Sequence, residues 1–177
     1  SGSQRDKQEV AQQVANACRE VGFLLISGHG ISESQQEVLK TKTFDFFDLP
    51  LKEKQKWGPI GSAKQRGYQR IETRNLASTI GEIAPPDLRE SIFIGPIDDH
   101  RNYYAETPWA HNAYAQNIIP TDPEGIKEAF IEAYRIFEEL ASSIMRIMAL
   151  ALDLPEAYFC PLISKHFSVL GIHHYPV

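Results

Sequence analysis

The stretch Thr121–Leu152, TDPEGIKEAFIEAYRIFEELASSIMRIMALAL, decides how the rest of the chain is read. Asp122 suits an N-cap, Pro123 the first helical position, where a missing N–H costs nothing, and Glu124 the place where an acidic side chain complements the helix dipole. Ile126, Phe130, Ala133, Phe137, Leu140, Ile144, Ile147, Met148 and Ala151 then recur at helical spacing to about Leu152. Burying such side chains contributes about 1.5–3 kcal/mol for each large one. The spacing therefore predicts one long amphipathic helix that serves as the spine of a domain.

Reading outward from it, Pro155 opens a short helix to about Leu162, and Phe167–Tyr175 reads as a strand with Phe167, Val169 and Gly171 on one face. Toward the N-terminus, Val10, Val14, Ala17, Cys18 and Val21 form an apolar stripe on a wet helix that Gly22 stops. Phe23–Ile26 is a short apolar run ending in Ser27-Gly28-His29-Gly30, the pattern of a buried strand and a turn. Ser32 with Gln35 makes a capping-box pattern for a helix carrying Val38, Leu39, Phe46 and Phe47 and closing at Leu49-Pro50. A basic segment, Leu51 to Trp57, leads into a long loop from Gly58 to Pro86 with a strand near Gly67–Ile71. Ser91–Ile94 is a further strand, ended by Gly95-Pro96, and Tyr103 to Pro120 is an aromatic surface stretch containing Trp109, His111 and Asn117. Ser1-Gly2-Ser3 looks like an expression scar and is set aside. Helices with a few short strands make this an α+β chain.

With 177 residues, 42% of them hydrophobic and 23% charged, the chain is one domain or part of one. Its net charge of −5 and scattered basic residues argue against nucleic-acid binding. No apolar run is long enough to span a membrane, and the start has no signal-peptide pattern. The two cysteines, Cys18 and Cys160, read as buried thiols without disulfide or zinc spacing, so a soluble, cytoplasmic protein is expected.

Chemistry-bearing motifs are sparse. There is no phosphate-binding glycine loop, nucleophile elbow or His-Glu-x-x-His. His166, His173 and His174 come nearest to a metal cluster, but adjacent residues of a strand point to opposite faces, leaving one histidine toward the core and one exposed. In Gly28-His29-Gly30 the glycines permit a tight turn and the imidazole ties down backbone. Arg66-Gly67-Tyr68-Gln69-Arg70 sets two guanidinium groups around a phenol, a combination suited to a carboxylate-bearing ligand or, alternatively, to a solvated loop with one cross-strand aromatic.

Several segments, in order, resemble the N-terminal region of the isopenicillin-N-synthase-like family of non-haem Fe(II), 2-oxoglutarate-dependent dioxygenases. Ala17–Ile31 is similar to its A-C-x-x-x-G-F-F-x-x-x-N/G-H-G-I opening, and Phe44–Lys54 to its F-F-x-L-P-x-E-x-K element. Arg66-Gly67-Tyr68 resembles R-G-Y, Leu88–Gly95 its x-x-E-x-F-x-I-G strand, and Leu170–Pro176 its L-R-x-N-x-Y-P. Asn117-Ile118-Ile119-Pro120 corresponds loosely to N-x-W-P.

The resemblance implies a helical N-terminal region, 4–166, leading at 167–177 into the first strand of a double-stranded β-helix (jelly roll) mostly absent from this chain. It implies an oxygenase that uses Fe(II), 2-oxoglutarate and dioxygen to hydroxylate, desaturate or cyclise a small organic substrate. Tyr175 and His173 correspond to the family's Tyr and Asn that touch 2-oxoglutarate, His173 replacing the Asn. Arg66, Tyr68 and Arg70 are the expected substrate contacts. The family's iron is held by a His-x-Asp and a distal His. No His-x-Asp occurs here, and the family's I-P-V-I-D strand is absent before Gln4, so an incomplete, catalytically inert piece without its metal ligands is expected. The alternative is an interaction module that kept the helical half of an oxygenase and lost the catalytic half.

Overall fold

The computed structural model describes residues 2–60, 66–71, 85, 87–107, 110 and 114–176. In chain order the elements are α1 (Gln4–Glu20), α2 (Glu33–Phe47), α3 (Leu51–Gln55), β1 (Gly67–Gln69), β2 (Glu90–Ile94), α4 (Arg101–Ala105), α5 (Ile126–Ala151), α6 (Cys160–Ile163) and β3 (Leu170–His174). They group into two units, one of Ser1–Ser32 with Arg135–His166, the other of Glu33–Tyr134 with Phe167–Val177.

In the first unit, α1 starts on a complete capping box. The Ser3 hydroxyl accepts from the Asp6 amide at 3.2 Å, and the Asp6 carboxylate accepts from the Ser3 amide at 2.8 Å. The residue that looks like an expression scar thus satisfies two of the helix's orphan groups. Gly22, at φ +79°, ends the helix. Lys7 reaches Glu156 at 2.8 Å, and Glu138 accepts from both Arg135 and His166 at 2.9 Å.

The second unit holds a three-stranded antiparallel sheet of order β1-β2-β3. Its core joins Phe46 and Phe47 of α2, Tyr68 of β1, Ile92 and Ile94 of β2, and Ile126, Phe130 and Tyr134 of α5. Leu170 and Ile172 of β3 pack on this cluster. The alternation of strand side chains explains the choice: Tyr68, Ile92 and Ile172 stand opposite one another and share the covered face.

Several expectations are corrected. The long helix exists but begins at Ile126, after Gly125, whose φ of +81° lies outside the helical range; Asp122 and Pro123 belong to the preceding turn. Phe137, expected on the buried stripe, is 42% exposed. Phe23–Ile26 is no strand. Phe23 is 83% and Leu25 fully exposed, since neither a ladder partner nor a covering layer for them exists among the described residues. Cys18 is exposed and Cys160 half-buried, so Cys18 is not the buried thiol expected. A helix, Arg101–Ala105, runs into the stretch read as aromatic surface from Tyr103, and Tyr104 is buried against Tyr114 and Phe167. The strand expected over Phe167–Tyr175 is confined to Leu170–His174, and the short helix to Cys160–Ile163. Most of the long loop, and Trp109 and His111, lie outside the described residues.

No described helix is long and apolar enough to cross a membrane.

Candidate functional site

The two faces of the sheet differ in chemistry. On the covered face, Glu90 begins β2 opposite His174 of β3. Its carboxylate accepts from Lys54 at 2.7 Å and from the Tyr68 hydroxyl at 2.6 Å, and lies 2.9 Å from His174 Nδ1. Lys54 also donates to the Phe47 carbonyl at 2.7 Å, and the His174 ring stacks on Phe47 at 4.9 Å. Burial pushes the Glu90 carboxyl up, but hydrogen bonds from Lys54, Tyr68 and His174 outweigh it and hold the group below its ordinary range. Burial, with the hydrogen bond and charge of Glu90, pushes the Tyr68 phenol far above its usual value.

On the opposite face, Gln69, Ser91 and His173 form one row across the three strands, and Gly67, Phe93 and Gly171 the next. His173 and Gly171 are exposed, while Ser91 and Phe93 are buried. The Ser91 hydroxyl lies 2.8 Å from His173 Nδ1, and the Phe93 ring meets the imidazole edge-on at 5.6 Å. A side chain added at Gly171 would begin 3.3 Å from His173 Nε2 and 3.1 Å from Phe93, so the glycine leaves room for the ring. Gln69 Nε2 is inaccessible and has no hydrogen-bond partner among the described residues. Tyr175, just past the end of β3, is 65% exposed.

The three expected substrate contacts fare differently. Arg66 is buried, and its Nε donates to the Ala115 carbonyl at 3.1 Å. Its guanidinium lies over Gly95, where a Cβ would come within 2.4 Å of Arg66 Cζ, and burial lowers its pKa. Tyr68 is buried on the covered face, and Arg70 is exposed. Gly67, at φ +70°, gives the turn between Arg66 and Tyr68, and a Cβ there would stand 2.2 Å from the Trp57 carbonyl oxygen. Asn117 is structural: its amide group accepts from the Gly95 amide at 2.7 Å and donates to the Gly95 and Pro96 carbonyls at 3.0 and 2.8 Å. His29 accepts from the Ile31 amide at 3.1 Å, between Gly28 and Gly30 at positive φ, as its turn pattern implied.

His166, His173 and His174 each engage a different side chain, Glu138, Ser91 and Glu90. Among the described residues, no three His, Cys, Asp or Glu side chains are grouped to hold a metal ion. A cavity of about 350 Å³ opens beside Ile97, Asp99, Arg101, Tyr114 and Lys127; of the residues the sequence singled out, Asn117 and Ile119 line it, while Arg66, Tyr68, Arg70, His173 and Tyr175 do not. Its arginine is already held by Asp99, with Nε donating at 2.8 Å.

Sequence reasoning missed Lys54, Glu90, Ser91 and Gln69. The available signal was a Glu and a Ser placed at the head of an apolar strand, where neither belongs unless partnered.

Residues 1–122 match the family model described as the N-terminal region of non-haem dioxygenases in morphine synthesis. Over 177 residues, 96% of the chain, it is 32% identical to a 2-oxoglutarate-Fe(II) type oxidoreductase of Aspergillus fumigatus, covering 50% of that protein. It is 32% identical over 175 residues to a homoarginine-6-hydroxylase of Oryza sativa, with 97% of this chain and 50% of that one aligned. The chain thus spans about half the length of these relatives. A crystal structure of a 2OG-Fe(II) oxygenase family protein from Caulobacter crescentus superposes with a TM-score of 0.80 over 98% of this chain and 53% of that one, at 20% identity, a likeness of fold.

Proposed function

The chain belongs to the N-terminal family of non-haem dioxygenases, and from that premise we propose that it is the N-terminal part of an Fe(II)- and 2-oxoglutarate-dependent oxygenase acting with dioxygen on a small organic substrate. One observation carries the reading: almost the whole chain aligns with a 2-oxoglutarate-Fe(II) type oxidoreductase. Residues 4–166 form the helical region, and 167–177 the first strand of the double-stranded β-helix core. The oxidation is a hydroxylation, desaturation or cyclisation, and two cysteines without a disulfide suit a cytoplasmic enzyme.

When bound, Fe(II) and 2-oxoglutarate supply the oxidising chemistry. The described residues do not make an iron site of their own, and the ligands are proposed to follow Val177 as a His-x-Asp and a distal His. Without those ligands the 177-residue chain alone is proposed to be inert. For 2-oxoglutarate the donor chemistry fits: the His173 imidazole and the Tyr175 phenol are exposed groups, each able to donate one hydrogen bond to a carboxylate. Arg70, exposed, is placed at the substrate. Arg66 and Tyr68, buried, serve that contact from behind by fixing the backbone on either side of Gly67.

The test is to extend the reading frame to the relatives' length, express that protein, and follow succinate release from 2-oxoglutarate with Fe(II) in air. Iron- and 2-oxoglutarate-dependent succinate formation, absent from the 177-residue chain, is expected. A reading frame without a His-x-Asp after Val177, or a longer protein with no such turnover, favours the interaction module instead.

A further inference from the structure

We propose that the cavity of about 350 Å³ beyond the end of β2 is a binding site for a small monocarboxylate with a short apolar body, its carboxylate held by Lys127 and Gln116 and its body laid against Ile97, Ile119 and Ile131. All of the lining belongs to the second unit. Residues 96–99 follow β2 at the end where Ile94 pairs with Leu170, whereas His173 and Tyr175 belong to the end where Glu90 pairs with His174. The volume stands at the lower limit of small-molecule sites, about 300–1,000 Å³. The occupant is therefore a short chain or a single ring.

Hydrogen bonds fix the walls. Asn117 clamps the backbone of Gly95 and Pro96, and the Tyr114 hydroxyl accepts from the His100 amide and donates to the Asp98 carbonyl at 3.2 Å. Ile97 and Ile119 pack against the hydrophobic core behind them, so the apolar side of the cavity continues that core. The charged groups of the lining are unequally engaged. Arg101 is already held by Asp99 at 2.8 Å. Lys127 is exposed, and among the described residues neither its neighbour Glu128 nor any other acid pairs with it. It also stands in the first turn of α5, where the helix dipole disfavours a cation. An anion in the cavity offsets both effects at once. Gln116, likewise without a side-chain partner among the described residues, supplies amide N–H donors for the second carboxylate oxygen. Asp98 and Asp99 set the limit on charge, because a second negative group on the ligand would meet them. The lining thus suits a monoanion rather than 2-oxoglutarate or phosphate.

The experiment is a titration of the ¹⁵N-labelled 177-residue chain with hexanoate, followed by the shifts of backbone and side-chain amides. Saturable shifts at Ile97, Gln116, Ile119, Lys127 and Ile131 are expected. The Kd should rise several-fold in Lys127→Gln and stay unchanged in Lys52→Gln, which alters an exposed lysine on α3. 1-Hexanol, hexylamine and glutarate, which remove the charge, reverse it and double it, should each bind more weakly than hexanoate. Shifts at the lining residues that do not saturate in the unsubstituted chain overturn the site even if a variant fails to fold, as does a Kd unmoved in Lys127→Gln. Binding of any of the three control compounds as tight as that of hexanoate overturns the monocarboxylate assignment.

Discussion

Lys54 Nζ and Glu90 Oε2 meet at 2.7 Å with only 10% and 7% of their side chains exposed, tying α3 to the first residue of β2. The pair stands where an isolated charge would be expensive, and it is sustained by further bonds to Phe47, Tyr68 and His174. Removing one partner should therefore cost far more than the pair is worth.

Lys54→Met should destabilise the second unit by about 3–5 kcal/mol, because it leaves the Glu90 charge buried with neutral donors and a titratable histidine. The double variant Lys54→Met/Glu90→Gln should recover part of that loss, measured as a coupling energy by urea denaturation. A single-variant cost under about 1 kcal/mol would mean that water reaches the pair.

Acid sensitivity follows from the same carboxylate. Because the folded state holds Glu90 below its ordinary range, the folded state binds fewer protons there than the unfolded one. Its stabilisation is present above the ordinary carboxylate range and is lost as pH falls through the depressed folded value. Denaturation midpoints taken from pH 7 downward should fall less steeply in Glu90→Gln; parallel curves would show that other carboxylates govern the acid transition.

Tyr68 gives the opposite edge of the pH range. Burial keeps its phenol protonated when the unfolded chain's phenol would ionise, at about pH 10, so its contribution falls as pH rises past that point. Burial raises Tyr104 as well, so absorbance at 295 nm should show fewer tyrosines titrating near pH 10 than the number present, and the missing ones should appear with unfolding. In Tyr68→Phe that late component should shrink by one tyrosine, and an unchanged late component would show that Tyr68 titrates with the exposed phenols.

Phe130 and Phe137 lie on the same helix but should respond differently. Phe130 is fully buried, so Phe130→Ala should cost about 3–5 kcal/mol by lost burial and a cavity. Phe137, 42% exposed, should lose about 1 kcal/mol or less on the same change. Chemical denaturation of both variants checks the contrast, and equal losses would contradict the buried face assigned to α5.

Gly67 and Gly28 separate backbone strain from crowding. Both have positive φ, at +70° and +66°, but a Cβ at Gly28 meets nothing within 4 Å, whereas at Gly67 it meets the Trp57 carbonyl. Gly28→Ala should cost about 1–2 kcal/mol for the left-handed conformation alone. Gly67→Ala should exceed it clearly, and similar losses in thermal or urea unfolding would show that the close approach of Gly67 to the Trp57 carbonyl relaxes at no cost.

How much was legible is best judged from particular residues. The helix of Ile126–Ala151, the stop at Gly22, the turn around His29 and the apolar core of β2 were all written in the local sequence, because helical spacing, a breaker and a turn residue act within a few positions. Asp122 and Pro123 satisfy a helix start as well as a turn does, and Gly125, through its backbone angle, puts the start of α5 at Ile126. Phe23–Ile26 reads as a buried strand since its composition demands cover, yet composition cannot say what supplies it.

By itself, then, the sequence determined α1, α2 and α5, the strands β1, β2 and β3, and the family, each of which depends on short-range spacing or ordered motifs, whereas α3 and α4 carry no such signal. The tertiary structure alone decided that Glu90 would gather Lys54 from 36 positions away and His174 from 84, and that His173 would find Ser91 from 82. Strand register sets those meetings: a shift of one residue would turn His173 to the core and His174 outward, and no local preference fixes register across such distances.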